Sequence, residues 1–205
     1  IRDRKYGADV EPDEVAVTVG AKSALFMCIT LLTRPGDEVI VPDPGFPAYE
    51  CIVRYSGGKP MFASLREEDE FKMTPELVER YLTERTNGIV LNYPHNPTTA
   101  TVELSFFEEV VALARRFSFL VIHDFAYAGL GFEGYDPPSF LQVPGAREVG
   151  VEFTTMSKAY NMAGWRVGFC AGNREMCRAL MKVKGYYDYG IFQGIQVASI
   201  IAMRQ

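Results

Sequence analysis

Short β-prone apolar runs alternate with stretches of helical periodicity along this chain, and that alternation restricts it to a sheet built from βαβ units. The runs fall at 15–19, 38–42, 61–65, 88–92, 119–123, 151–155 and 167–171. Helical patterns lie between them at 22–32, 48–55, from 75, at 105–117 and at 173–184, and a last apolar helix ends the chain. Start signals agree with this reading. Thr74 precedes Pro75 as an N-cap followed by proline at the first helical position, Ser105 and Glu108 form an S-x-x-E capping box, and Asn173 caps a later helix. The expected fold is α/β: a three-layer α-β-α sandwich with a mostly parallel sheet. No Ser/Gly-rich or charge-run linker divides the 205 residues, so one domain over 1–205 is expected.

Composition narrows the functions open to such a fold. The chain is 48% hydrophobic and 23% charged, which suits a soluble globule with a substantial core. A net charge of −5 argues against a broad nucleic-acid or anionic-membrane surface, while leaving room for a local basic pocket for one phosphate. Cys28, Cys51, Cys170 and Cys177 are scattered without a C-x-x-C pair, and two histidines complete the supply of soft ligands. Neither a metal site nor a disulfide framework is expected, and reduced cysteines imply a cytoplasmic address. No apolar run approaches the roughly 20 residues that span a bilayer.

A mostly parallel sheet presents its working residues in the loops at the carboxyl ends of its strands. Residues with chemistry gather there repeatedly: Gly20-Ala21-Lys22, the segment 92–96, the segment 124–127, and Met156-Ser157-Lys158. Gly20-Ala21-Lys22 opens a helix, where small side chains and the helix dipole favour an anion. Read alone, it is equally an ordinary tight turn, and it does not match the nucleotide P-loop G-x-x-x-x-G-K-[ST]. Asp124 follows a buried strand, where a carboxylate needs a cationic or donor partner unless it merely caps a helix. Tyr127 lies three residues on, within reach of the same ligand across a turn. Lys158 is followed eight residues later by Arg166. A lysine forms an imine only as its neutral amine, a state that cationic neighbours and partial desolvation favour, and a guanidinium nearby grips phosphate with paired donors.

The run Ser157-Lys158-Ala159-Tyr160-Asn161-Met162-Ala163-Gly164-Trp165-Arg166-Val167-Gly168 resembles the lysine motif of the class I/II, fold type I aminotransferases. Asn92-Tyr93-Pro94-His95-Asn96-Pro97-Thr98 resembles that family's N-x-P-x-N-P-T loop, Asp124-x-x-Tyr127 its ring-binding pair, and Pro35-Gly36-Asp37-Glu38-Val39 the lead into one of its strands. The resemblance runs over essentially the whole chain. It implies pyridoxal 5′-phosphate as cofactor, Lys158 as the Schiff-base lysine and proton shuttle, and Asp124 against the pyridine nitrogen. Asn96 and Tyr127 would serve the ring hydroxyl oxygen, and Phe46, otherwise a core aromatic, would stack on the ring. The phosphate would meet the Gly20 turn, the N–H groups of Ala21 and Lys22, Ser157 and Arg166. In wording, the 92–97 loop and Pro137-Pro138-Ser139-Phe140-Leu141-Gln142-Val143-Pro144-Gly145-Ala146 resemble the alanine and LL-diaminopimelate aminotransferase branch most.

The resemblance also implies amino acid and 2-oxo acid substrates and a homodimeric parent. Carbon–sulfur lyases, aminocyclopropane-carboxylate synthases and the aminotransferase-like sensor half of a transcriptional regulator share the same constellation. Members of the family are about twice as long, with an amino-terminal arm and a small carboxyl-terminal domain that bears the substrate-clamping arginine. The expectation is therefore an excised large domain that captures cofactor better than it turns over substrate. Two positions depart from the pattern: Thr99, where glycine is usual and a positive φ would oblige the loop to shift, and Tyr189, where serine is usual.

Overall fold

The computed structural model describes residues 10–204; residues 1–9 and Gln205 of the expected 1–205 domain lie outside the described residues. Its elements follow in the order β1 (Val15–Thr18), α1 (Gly20–Leu32), β2 (Glu38–Asp43), α2 (Ala48–Tyr55), β3 (Lys59–Ser64), α3 (Pro75–Tyr81) and β4 (Thr86–Leu91). There follow α4 (Leu104–Phe117), β5 (Leu120–Asp124), α5 (Ala146–Val149), β6 (Gly150–Thr155), β7 (Gly168–Gly172), α6 (Arg174–Tyr187) and α7 (Gln193–Met203).

The seven strands form one sheet in the order β1-β7-β6-β5-β4-β2-β3. The pairs β2–β3, β2–β4, β4–β5 and β5–β6 are parallel, whereas β7 runs antiparallel to both β6 and β1. The central strands are apolar on both faces because helices cover both. Val39, Val41, Val90 and Ile122 pack with Leu25 and Ile29 of α1 and Ile52 of α2, while Ile40, Ile89, Leu91 and Val121 pack with Val78 of α3 and Phe107 and Val110 of α4. Alternate side chains of one strand thus feed two cores, which makes the chain a three-layer α/β sandwich.

Side-chain caps decide the starts of two helices. Thr74 caps α3 by accepting the Leu77 N–H at 3.3 Å, with Pro75 at the first helical position, and Asn173 caps α6 by accepting the Met176 N–H at 3.0 Å. The Ser105–Glu108 capping box is not formed. Glu103, extended at φ −89° and ψ 165°, is the N-cap of α4 and makes no side-chain cap hydrogen bond, so Ser105 already lies inside the first turn. Helix α1 starts at Gly20, two residues before the sequence pattern suggests. Among the described residues no helix is long and apolar enough to cross a membrane, no cluster of three His, Cys, Asp or Glu side chains is arranged to hold a metal, and all four cysteines are free.

Candidate active site

Because β1, β4, β5 and β6 point the same way, their carboxyl ends share one edge of the sheet, and the segment leading into the reversed β7 returns to that edge. A cleft of about 360 Å³ opens there. Nine of the ten residues singled out in the sequence line it: Ala21, Lys22, Phe46, Asn96, Asp124, Tyr127, Ser157, Lys158 and Arg166. Gly20, the tenth, lies buried directly behind Arg166. Its φ is +74°, and a Cβ at that position would run into the Arg166 guanidinium, so glycine is required both by the turn and by the arginine. Gly168 is packed equally tightly, since a Cβ there would strike the Gly20–Ala21 peptide.

At one end of the cleft the first turn of α1 receives no side-chain cap, which leaves its leading N–H groups open beside Arg166 and Ser157. Such a group of donors at a helix N-terminus is an anion seat. The Arg166 guanidinium is steadied by donating to the Ala163 carbonyl at 2.8 Å, and the Ser157 N–H donates to the Thr155 hydroxyl at 3.2 Å. Thr155 pairs with Gly168 at the end of the antiparallel β6–β7 ladder, and the Met156 N–H donates to the Val167 carbonyl at 3.0 Å just beyond it, so the segment 156–167 forms one excursion that carries Ser157, Lys158 and Arg166 together.

At the other end Asp124, the last residue of β5, is 6% exposed. One carboxylate oxygen, Oδ2, accepts the Tyr49 hydroxyl at 2.7 Å; the other, Oδ1, is buried with no hydrogen-bond partner among the described residues. Burial pushes the Asp124 carboxyl above the usual range, with the Tyr49 hydrogen bond and the charge of His123 pulling the other way. The Tyr49 phenol is itself raised well above its ordinary value, by burial first and then by Asp124, and keeps its proton. The neighbouring loop is locked to the same strand: Asn92 donates to the Asp124 carbonyl at 2.7 Å and accepts the Asn96 N–H at 2.8 Å.

Between these ends stands Lys158, its Nζ 5.6 Å from the centroid of the Tyr127 ring, while Phe46 packs edge-on against Tyr49 at 5.6 Å and under Lys22 Nζ at 5.2 Å. Lys158 is exposed, so the partial desolvation expected from the sequence is not supplied by these residues. Thr99 does take a positive φ, +63°, and its N–H and the Ala100 carbonyl close the turn onto His95 at 2.9 Å each. The mismatch with threonine is absorbed by the residue. Tyr189 is 92% exposed with φ +55°, away from the cleft.

Sequence reasoning missed Tyr49 and Thr155, which line the cleft, and gave Asn92 no role of its own within the 92–96 segment. Tyr49 left one signal, a tyrosine in the first turn of a helix after Phe46-Pro47, but no spacing rule links it to Asp124. The site therefore combines a seat for an anion, an amine, and a buried acceptor that lacks a donor.

Residues 1–202 match the family model described as aminotransferase class I and II. The chain is 42% identical over 200 residues to the glutamate-pyruvate aminotransferase AlaC of Escherichia coli, covering 97% of this chain and 48% of that one. It is 39% identical over 202 residues to LL-diaminopimelate aminotransferase 2 of Nostoc sp., covering 98% and 52%. Among solved structures, an aspartate aminotransferase of Thermus thermophilus superposes with a TM-score of 0.91 at 34% identity, over 97% of this chain and 51% of that one. The chain spans about half the length of the curated relatives it matches.

Proposed function

The chain belongs to the class I and II aminotransferases, whose members use pyridoxal 5′-phosphate, and on that premise we propose that the cleft binds this cofactor and that the protein moves an amino group from an amino acid to a 2-oxo acid. The observation that carries the reading is Asp124 Oδ1, a buried carboxylate oxygen without a partner among the described residues, in a cleft that also offers a lysine amine and an anion seat. One ligand bearing a cationic ring nitrogen, an aldehyde and a phosphate satisfies all three.

When bound, the cofactor supplies an aldehyde that condenses with amines and a protonated ring that accepts electrons. Asp124 would hold the proton on the ring nitrogen, with Tyr49 holding that carboxylate by its second oxygen. Lys158 would hold the aldehyde carbon through its amine and is the group placed to take the α-proton of a substrate. Asn96 and Tyr127 would serve the ring hydroxyl oxygen, and Phe46 would cover a ring face. The Gly20 turn, the N–H groups of Ala21 and Lys22, Ser157 and Arg166 would hold the phosphate.

We read residues 1–205 as one cofactor-binding domain, and the substrates as amino and 2-oxo acids of the kind named in the relatives, glutamate with pyruvate or LL-diaminopimelate. A homodimeric parent is supported by the apolar surface of α6 and α7, where Tyr186, Tyr187, Phe192 and Ile201 are each more than half exposed. Unpaired cysteines support a cytoplasmic address, and the net charge of −5 supports neither nucleic-acid nor membrane partners. Borohydride reduction of the chain with pyridoxal 5′-phosphate, followed by peptide mass mapping, tests the reading. Label on Lys158, lost in Lys158→Ala, is the expected result; label elsewhere, or retained in the alanine variant, overturns it.

A further inference from the structure

Behind Asp124, on the opposite face of β5, lies a polar pair that the cleft itself does not use. His123 is fully buried, and the β5–β6 ladder sets it directly opposite Glu152, 4% exposed. Its Nδ1 is 3.0 Å from Glu152 Oε2 and its Nε2 is 3.2 Å from the Tyr93 carbonyl oxygen. A carbonyl oxygen has no hydrogen to give, so Nε2 must donate. Glu152 is also surrounded by donors: Oε2 accepts the Phe140 N–H at 2.8 Å and Oε1 accepts the Ser139 hydroxyl at 2.8 Å. Two donors besides the imidazole thus converge on one carboxyl group, the environment of an anion, and a carboxylate facing Nδ1 makes that nitrogen a donor too. The other groups packed on the ring are uncharged: Phe125 stacked at 5.0 Å, Phe107 of α4 at 4.8 Å, and Phe140 at 6.5 Å.

We propose that His123 is a positioning residue for Asp124: clamped between Glu152 and the Tyr93 carbonyl, it carries a hydrogen on both ring nitrogens and presents a fixed positive charge behind the carboxylate, keeping it ionised in a buried site. Its influence on Asp124 is in the required direction, since the His123 charge opposes the upward push of burial. The same ring also holds the backbone of the loop that carries Asn92 and Asn96, so charge and geometry at the ring-binding end have one source. A buried pair is weak evidence for stability, whereas fixing one arrangement of neighbouring polar groups is a use that the cost of burial permits.

The inference rests on the reading of Asp124 as ring-nitrogen partner, but its test needs no cofactor, so that failure of cofactor capture at Lys158 and failure of this proposal are separate results. His95 and His123 are the two histidines of the chain. His95, with Nδ1 against the Thr98 hydroxyl at 2.7 Å and burial pushing it down to about 4, serves as the neutral reference, assigned by a His95→Gln sample. In ¹⁵N-histidine spectra of the chain at neutral pH, both His123 nitrogens are expected to carry a hydrogen, as their two acceptors require. A His123 nitrogen without one under those conditions overturns the proposal. In ¹³C-aspartate spectra, His123→Gln is expected to raise the Asp124 midpoint, corresponding to a change of about ten-fold in its proton affinity. The control Ser139→Ala, which removes a contact to Glu152 but no charge, leaves that midpoint in place. An Asp124 midpoint that does not move in His123→Gln, or that moves equally in Ser139→Ala, overturns the positioning role; should His123→Gln fail to fold, the ring spectra of the unsubstituted chain decide.

Discussion

Asp124 carries opposing demands on one side chain. Burial raises its folded-state titration above the unfolded value, so its contribution to stability is present below the unfolded pKa and is lost as pH rises through the folded one. In the cofactor-free chain Asp124→Asn should therefore raise the denaturation midpoint at neutral pH and change little in acid, while weakening pyridoxal 5′-phosphate binding by about 2 kcal/mol in an absorbance titration. A gain in acid and not at neutral pH would contradict the sign. Thr99 poses a simpler conflict, a β-branched residue held at φ +63°. Thr99→Gly should relieve backbone strain and stabilise the chain by about 1 kcal/mol in urea unfolding, despite the greater freedom of an unfolded glycine. Nine of the ten candidate residues meet in one cleft because they lie in short motifs beside strand ends, where neighbours in sequence remain neighbours in space. Tyr49 and Asp124, 75 residues apart, and the His123–Glu152 pair were not legible, because side-chain partners across strands depend on sheet order, which no local pattern encodes.

Elements were read best where a side chain settles the boundary. Asn173 is tied at both ends, accepting the Met176 N–H and donating to the Glu148 carbonyl at 2.8 Å, and its pattern in the sequence was sufficient. Asn173→Ala should cost about 1 kcal/mol in chemical denaturation, since it uncaps α6 and frees that carbonyl. Ser105→Ala, by contrast, should fall within about 0.5 kcal/mol of the parent, because the spacing of Ser105 and Glu108 matches a capping box while the helix starts earlier. Strands β3 and β4 begin two residues before the apolar runs that reveal them, at Lys59-Pro60 and Thr86-Asn87. Their first residues are polar or lack an N–H: Lys59, Pro60 and Thr86 join the sheet through register with β2 and not through their own propensity, and Asn87 lies at an irregularity in that register.

For the molecule as a whole, alternation alone revealed the layers, since strands that are apolar on both faces require helices on both. It did not reveal the reversal of β7, because the 156–167 excursion has no helical period and its direction is set by pairing. The surface is least balanced along α6 and α7, where Tyr186, Tyr187, Phe192, Ile200 and Ile201 face outward. Multi-angle light scattering should find concentration-dependent association, and a Phe192→Lys, Ile201→Lys double variant should suppress it; a monodisperse monomer of the unsubstituted chain at high concentration would contradict this. The rung of Thr155 and Gly168 is continued by the Met156 N–H, which donates to the Val167 carbonyl at 3.0 Å, and Met156, Met162 and Val167 form a buried floor under the excursion. Amine and guanidinium therefore ride on one closed loop with an apolar base. Its second anchor is Gly20, whose missing side chain makes room for the guanidinium, so the first residue of α1 helps fix how far nucleophile and phosphate grip stand apart.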